Sequence, residues 1–275
     1  MSQTTPILVI GATGKVGTRI VAKLTALGQP VRAASRRTSP ALDWEDQSTW
    51  SPTLAGAETV FVSFVPDLAA KGAPDAIQKF TELAVAAGVK RLVLLSGRGE
   101  HNAQTSEAIV QASGLGWTIV RASWFSQNFS EGVLLGPVLE GFVALPAHDR
   151  KEPFIDVNDI ADVAVAALID TRHNGEVYEV TGPRSLTFAE AMAEIAAASG
   201  HPVAYSHISL EEFHAALLPE LGAEYADFLR DLCEEVFDGR NETTSDGVQR
   251  ALGREPRDFS DFCREIAASG VWGAQ

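Results

Sequence analysis

Three glycines near the start of the chain, Gly11, Gly14 and Gly17, have the spacing of a phosphate-binding turn. They follow an apolar run, residues 7–10, that predicts a buried strand, and they precede residues 18–27, whose apolar spacing predicts a helix. Glycine permits positive φ and close approach to a pyrophosphate, and the free N–H groups of a helix N-terminus bind anions. The residues expected to hold a dinucleotide diphosphate are Gly11, Thr13, Gly14, Lys15, Val16 and Gly17.

The residues after the second predicted strand, 31–34, carry a hydroxyl and a guanidinium, Ser35 and Arg36. In dinucleotide-binding folds an acidic residue at this place binds the ribose hydroxyls of NAD, whereas Arg accommodates the 2′-phosphate of NADP. No carboxylate stands there, and Arg36 belongs to a small basic cluster with Arg32 and Arg37 that suits one phosphate group. The sequence therefore predicts NADP(H) as the cofactor; the alternative is a set of solvated surface arginines.

The elements that must position these residues alternate between strands and helices. Unbroken apolar strands separated by helices indicate a parallel sheet covered on both faces. We predict an α/β fold: a Rossmann-type doubly wound parallel sheet with a smaller, mostly helical C-terminal lobe. Residues 1–155 would form the NADP-binding Rossmann domain, and residues 156–275 the last Rossmann elements plus a substrate-binding lobe. Further strands are expected at 59–65, 91–95, 117–120 and 177–180, and helices at 75–87, 105–113, 158–169 and 188–198.

Composition excludes several classes of function. A net charge of −14 over 275 residues disfavours binding to nucleic acid or to an anionic membrane surface, because phosphate contacts need clustered Lys and Arg. No apolar run reaches the roughly 18 to 20 residues of a membrane span, and Met1 leads almost directly into a strand, which predicts a cytoplasmic location. Cys233 and Cys263 lack any zinc-ligand spacing, so no metal is expected.

Four segments together resemble the NmrA-like atypical short-chain dehydrogenases, a group that includes NAD(P)H:quinone oxidoreductases. They are GATGKVG (11–17), RLVLLS (91–96), WTIVRASWF (117–125) and FIDVNDIA (154–161), in the order and at the spacing of that family. The resemblance implies a Rossmann domain and a small C-terminal lobe with a substrate cleft between them. It also implies that the cofactor is lined by Ser63, Phe64, Val65, Ser96 and Gly97.

The chain departs from ordinary short-chain dehydrogenases in its acid–base residues. Those enzymes need a Tyr with a Lys four residues later, and none of Tyr178, Tyr205 and Tyr225 is followed by Lys at that spacing. His101 follows the strand at 91–95 by a few residues, and His is suited to proton transfer near neutral pH. His101 is therefore our candidate proton donor; the alternative is an ordinary surface loop residue.

A second candidate group would contact the substrate. Trp124, Phe125 and Asn128 follow the strand at 117–120, and an aromatic pair beside a polar amide could hold a flat ring over a nicotinamide. Arg98 adds a cation near the same predicted edge. The alternative for the aromatic pair is simple packing into the core.

These features and the resemblance predict an NADPH-dependent oxidoreductase that acts, as a monomer or homodimer, on a small quinone-like or planar aromatic substrate. Aromatic natural-product tailoring, including oxygenation of the reduced aromatic as in a monooxygenase, stays open. A quinone can take its proton from water or a weak acid, so loss of the Tyr/Lys pair is compatible with hydride transfer. The alternative is a non-catalytic NADP(H)-binding redox sensor of the NmrA type, for which the missing pair is equally expected.

Overall fold

A computed structural model describes residues 5–273, which divide into two compact units. The first contains the residues up to Ala122 together with Val157–Val180 and Asp246–Arg254. The second contains Ser123–Asp156, Thr181–Ser245 and the residues from Glu255 onward. The units therefore alternate along the chain, whereas the sequence predicted two consecutive domains that meet at residue 155.

Strands and helices alternate through most of the chain. The strands are β1 (Ile7–Ile10), β2 (Val31–Ala34), β3 (Thr59–Val62), β4 (Arg91–Gly97), β5 (Gly116–Ala122), β6 (Phe142–Leu145), β7 (Lys151–Glu152), β8 (Glu176–Val180), β9 (Leu186–Thr187) and β10 (Ala204–His207). The α-helices are α1 (Lys15–Ala26), α2 (Trp50–Leu54), α3 (Ala73–Ala86), α4 (His101–Ala112), α5 (Asn128–Glu131), α6 (Leu135–Leu139), α7 (Val157–Ile169), α8 (Phe188–Ser199), α9 (Leu210–Leu221), α10 (Ala223–Val236), α11 (Gly247–Leu252) and α12 (Phe259–Ser269).

The first unit is built on one six-stranded parallel sheet in the order β2-β1-β3-β4-β5-β8. Residues near the carboxyl ends of adjacent strands pair with one another, as Ile10 does with Ala34 and Gly97 with Ala122. Helix α1 packs against α7, and α3 packs against α4. This arrangement confirms the predicted Rossmann-type parallel sheet, and it brings the loops that follow the strands to one edge.

The second unit has two small sheets and a helical core. Strands β6 and β10 pair in parallel, β7 and β9 pair antiparallel, and helices α8 and α12 pack together. Its core is rich in aromatic rings that meet mostly edge to face, a favoured geometry for such rings. The most deeply buried of these rings belong to Phe129, Phe154, Phe188, Phe259, Phe262 and Trp272.

The predicted elements differ from the observed ones mainly at their ends. Strand β4 extends to Gly97, beyond the predicted end at residue 95, and α4 begins at His101 rather than at residue 105. The segment 36–53, for which no strand or helix is predicted above, contains a 3-10 turn and the start of α2. Trp50, which is fully buried, fixes this segment to the core of the first unit.

An ion-pair cluster holds the helices of the second unit. Arg184 donates to Asp258 through Nε and Nη2, both at 2.7 Å, and to Glu194 through Nη1 at 2.6 Å. The Arg184 guanidinium holds the pKa of the Asp258 carboxyl well below its usual range. Asp258 also caps α12 by accepting a hydrogen bond from the Ser260 N–H at 2.9 Å.

Gly17→Ala should lower the free energy of unfolding by about 1–3 kcal/mol, because a Cβ at Gly17 would overlap the carbonyl oxygen of Gly11. Gly136→Ala is the matched control, since a Cβ at Gly136 in α6 has nothing within 4 Å and Ala favours a helix. Urea unfolding of both variants measures the effect. Equal stability of the two variants would contradict the close approach at the glycine turn.

Asp258→Asn keeps a side chain able to cap α12 but removes the charge, so it should destabilise the protein at pH 7. A carboxyl whose pKa is lowered by folding contributes stability above its unfolded pKa and loses it as pH falls through the folded value. The difference between wild type and variant should therefore shrink as the pH is lowered below about 4. Denaturant unfolding at several pH values tests this, with Asp261→Asn on the exposed face of α12 as control. A difference independent of pH would contradict the ion-pair account.

Candidate coenzyme-binding site

The glycine turn joins the carboxyl end of β1 to α1. Gly11 has a φ of +75°, and its carbonyl oxygen accepts a hydrogen bond of 2.9 Å from the Gly14 N–H. Gly14 is the N-cap of α1, and no side-chain hydrogen bond caps the first N–H groups of this helix. A helix N-terminus of this kind binds phosphate through those groups and the helix dipole.

The turn after β2 is held by two hydroxyl groups. The Ser35 N–H donates to the Thr38 Oγ1 at 2.7 Å, and the Arg37 N–H donates to the Ser35 Oγ at 3.2 Å. Arg36 and Arg37 are exposed, and neither guanidinium has a hydrogen-bond or ion-pair partner among residues 5–273. Two unpaired cations on a rigid turn are suited to bind a phosphate group.

Arg32 does not join this pair, contrary to the basic cluster that the sequence suggested. Its Nη1 donates to the Ala55 carbonyl at 2.9 Å and its Nη2 to the Thr53 carbonyl at 2.8 Å. Arg32 lies inside β2, where alternate side chains point to opposite faces, and partial burial lowers its pKa. Arg32 therefore stabilises the segment around α2.

The loop 42–45 forms a wall that the sequence analysis missed. The Trp44 indole N–H donates to the Ser63 carbonyl at 3.0 Å, and its ring packs on Phe64 at 4.8 Å and on Trp50 at 5.4 Å between centroids. The Asp43 Oδ1 accepts from the Glu45 N–H at 3.1 Å and closes the turn. The only sequence signal was an aromatic residue inside an acidic stretch, a pattern that exposed loops also have.

These three parts enclose a cavity of about 380 Å³ within the first unit. It is lined by Ile10, Gly11, Thr13, Gly14, Ser35, Arg36, Arg37, Leu42, Asp43, Trp44, Glu45, Ser63 and Val65. Of the other residues predicted to contact a cofactor, Val16 and Gly17 are buried in α1 and Phe64 packs on Trp44. Lys15 is the first residue of α1, whereas Ser96 and Gly97 are the last two of β4. The cavity has the glycine turn at its centre and the two unpaired cations on the β2 side.

At the end of β4, the first unit holds a hydrogen-bonded network of charges. The Ser96 hydroxyl donates to the Glu107 Oε1 at 2.6 Å, and Arg121 donates to both Glu107 oxygens at 2.9 and 2.5 Å. Arg121 and Arg98 also donate to Glu179, at 3.3 and 2.9 Å. The hydrogen bonds that Arg121 donates to Glu107 raise the pKa of Arg121. Arg98, predicted as a substrate contact, is thus buried in an ion pair.

Two groups that could carry a proton follow β3 and β4 in the chain. His101, the predicted proton donor, is the first residue of α4 and is exposed. Asp67 shares a hydrogen bond with the neighbouring Glu100 side chain, and burial raises the pKa of the Asp67 carboxyl. A carboxyl with a raised pKa keeps its proton to higher pH than usual. Asp67 and Glu100 are far apart in the sequence, so no local motif marks this carboxyl pair.

The other predicted substrate contacts, Trp124, Phe125 and Asn128, belong to the second unit. Trp124 stacks on Phe237 at 5.1 Å and meets Phe188 edge to face at 5.6 Å. Phe125 forms a bridge with Ile155, and Asn128 is the first residue of α5. Trp124 thus packs against the aromatic core, while Phe125 and Asn128 are half-buried.

Residues 5–273 include no group of three or more His, Cys, Asp or Glu side chains that could hold a metal ion. Within the same range, no helix has the length and apolar character needed to cross a membrane.

Comparisons with known proteins identify the family of this chain. The model of a family described as NAD(P)H-binding matches residues 11–171. The chain is 34% identical to the uncharacterized oxidoreductase YesF of Bacillus subtilis (strain 168), over 98% of this chain and 97% of that protein. It is 31% identical to the NAD(P)H azoreductase of Xenophilus azovorans, over 96% and 98% of the two chains. The fold is similar to that of the Escherichia coli NADPH-dependent quinone oxidoreductase QOR2, solved in complex with NADPH, with a TM-score of 0.77. The two sequences are 21% identical, and the match covers 94% of this chain and 99% of that chain.

Trp44→Ala should weaken NADPH binding about five- to tenfold, because it removes one wall of the cavity and the indole hydrogen bond to Ser63. Trp44→Phe keeps an aromatic ring and loses only that hydrogen bond, so its loss should be smaller. Isothermal titration calorimetry measures both dissociation constants. Wild-type affinity in Trp44→Ala would show that the wall does not contact the coenzyme.

Proposed function

This chain belongs to the NAD(P)H-binding family, and we propose that it is an NADPH-dependent oxidoreductase that reduces a quinone-like or other planar conjugated substrate. The observation that carries this proposal is the cavity in which the glycine turn lies beside two unpaired guanidinium groups. Among relatives more than 30% identical, one is an oxidoreductase and another an NAD(P)H azoreductase, whose name implies an azo compound as substrate.

The residues of the cavity fit the two phosphate-bearing parts of NADPH. The glycine turn would bind the diphosphate through the first N–H groups of α1. Ser35, Arg36 and Arg37 would bind the 2′-phosphate, for which NADH has no equivalent. Trp44 would then lie against the adenosine, because it lines the same side of the cavity. An NADP(H) preference follows from these contacts.

Bound NADPH would supply a hydride from C4 of its nicotinamide. The protein would contribute mainly by positioning, since it lacks a Tyr with Lys four residues later. Phe125 and Asn128 are the proposed contacts for a flat substrate, whereas Trp124 supports them from the aromatic core. His101 is the proposed donor of a proton to the substrate oxygen. A quinone gains aromaticity on reduction and can also be protonated by water.

A redox sensor is the second candidate, because the missing Tyr/Lys pair favours it equally. Such a protein would bind NADP⁺ and NADPH with different affinities and would respond through a partner rather than through turnover. Oxygenation of a reduced aromatic is a further variant of the enzymatic proposal. It requires oxygen uptake that is coupled to formation of an oxygenated product.

Arg36→Ala should raise the dissociation constant for NADPH at least tenfold and change that for NADH little, since only NADPH carries the 2′-phosphate. Arg264→Ala, an exposed arginine on α12, is the matched control and should change neither constant. Titration by fluorescence or calorimetry measures the dissociation constants of both variants for NADPH and for NADH. Equal weakening of both coenzymes by Arg36→Ala would contradict the assignment of NADPH.

Purified protein should oxidise NADPH in the presence of quinones or azo dyes, and oxygen uptake should be recorded in the same vessel. Turnover of an acceptor supports the reductase, and an oxygenated product supports oxygenation after redox cycling is excluded. Tight binding of NADPH with no turnover of any planar acceptor would overturn the enzymatic proposal in favour of the sensor.

A further inference from the structure

The end of β4 carries a hydrogen-bonded network of polar and charged side chains. Glu107 on α4 is 3% exposed, and Arg121 on β5 binds both of its oxygens. Arg121 pairs with Ser96 in the register between β5 and β4, so the guanidinium and the hydroxyl lie on neighbouring strands. Glu179 on β8 accepts hydrogen bonds from both Arg121 and Arg98. The network therefore contains two carboxylates and two guanidinium groups.

This network fixes the hydrogen of the Ser96 hydroxyl. A serine has one donor and two acceptor lone pairs, and the Ser96 donor is used at 2.6 Å on Glu107 Oε1. A buried carboxylate held by two guanidinium hydrogen bonds remains a strong acceptor for that hydrogen. The remaining hydrogen-bonding capacity of Ser96 is therefore that of an acceptor.

In the order of the strands, Ser96 on β4 lies on one side of the glycine turn, and Arg36 and Arg37 after β2 lie on the other side. The cavity has Ser35 and Arg36 after β2, the glycine turn after β1, and Ser63 after β3. Strand β4 is the next strand in the same direction, about 10 Å from β1 at two strand spacings. A dinucleotide whose adenosine end lies at β2 must extend its nicotinamide half over β3 and β4.

We propose that Glu107 and Arg121 are positioning residues that hold the Ser96 hydroxyl as a hydrogen-bond acceptor for the nicotinamide-riboside half of NADPH. That half carries suitable donors, namely two ribose hydroxyls and the carboxamide N–H groups. Ser96 consequently does not donate the proton that the substrate takes up. The inference rests on the proposed coenzyme role of the cavity.

The test compares NADPH with adenosine 2′,5′-bisphosphate, which has the adenosine and the 2′-phosphate but no nicotinamide half. Ser96→Ala should weaken NADPH binding about fivefold and leave binding of the bisphosphate unchanged. Glu107→Gln should have the same selective effect. Either amide orientation sets an N–H against the Arg121 guanidinium, because Arg121 donates to both Glu107 oxygens. The orientation that places the amide N–H beside Ser96 also turns the Ser96 hydrogen outward. The double variant should lose no more than Ser96→Ala alone, because both changes remove one contact.

Glu176→Gln is the matched control: it is the same substitution on the same sheet, at a partly exposed residue bound to Arg250 and outside this network. It should leave both affinities unchanged. Equal weakening of NADPH and the bisphosphate by Ser96→Ala, or no weakening of either, would overturn the inference while leaving the coenzyme assignment intact. If the wild-type protein binds neither ligand, the coenzyme assignment itself is wrong. Should Glu107→Gln fail to fold, Arg121→Lys takes its place, because Lys cannot make the paired hydrogen bonds to both Glu107 oxygens and should show the same selective loss.

Discussion

Helix α1 can begin close to the carboxyl end of β1 because Gly17 has no side chain that would overlap the Gly11 carbonyl oxygen. Gly11 makes the same approach possible by adopting a φ of +75°, which side chains rarely allow. The helix N-terminus is thereby placed at the sheet edge where the neighbouring strands also end. The cavity depends on this constraint, since its other walls are loops that follow β2 and β3.

The distribution of charge partners separates structural arginines from those available to a ligand. Arg121 and Arg184 each bind two carboxylates, and Arg32 binds two backbone carbonyls. Arg36 and Arg37 bind none among the described residues, although the chain has a large excess of acidic side chains. These two arginines line the cavity beside a helix N-terminus, so they are the cations available there to an anionic ligand.

Much of the fold follows from local sequence patterns. The unbroken apolar strands and the glycine spacing predicted the Rossmann sheet and the helix α1, because both depend on residues close in the chain. The helix itself begins at Lys15, three residues before the predicted start at residue 18. The contacts of Arg32, the wall formed by Trp44 and the network around Glu107 could not be predicted in this way. Each depends on residues more than ten positions apart, whose meeting is decided by tertiary packing. Trp124 illustrates the same limit, since an aromatic substrate contact and a core residue have the same sequence signal.

Under the proposed function, the protein transfers a hydride from C4 of NADPH to a planar acceptor. The most direct measurement uses NADPH deuterated separately on each face of C4, with a quinone as acceptor under anaerobic conditions, and determines the deuterium content of the NADP⁺ formed. A protein that fixes the nicotinamide over one face should remove deuterium completely from one epimer and retain it in the other. Loss from both epimers alike, or NADPH oxidation no faster than without protein, would contradict the claim.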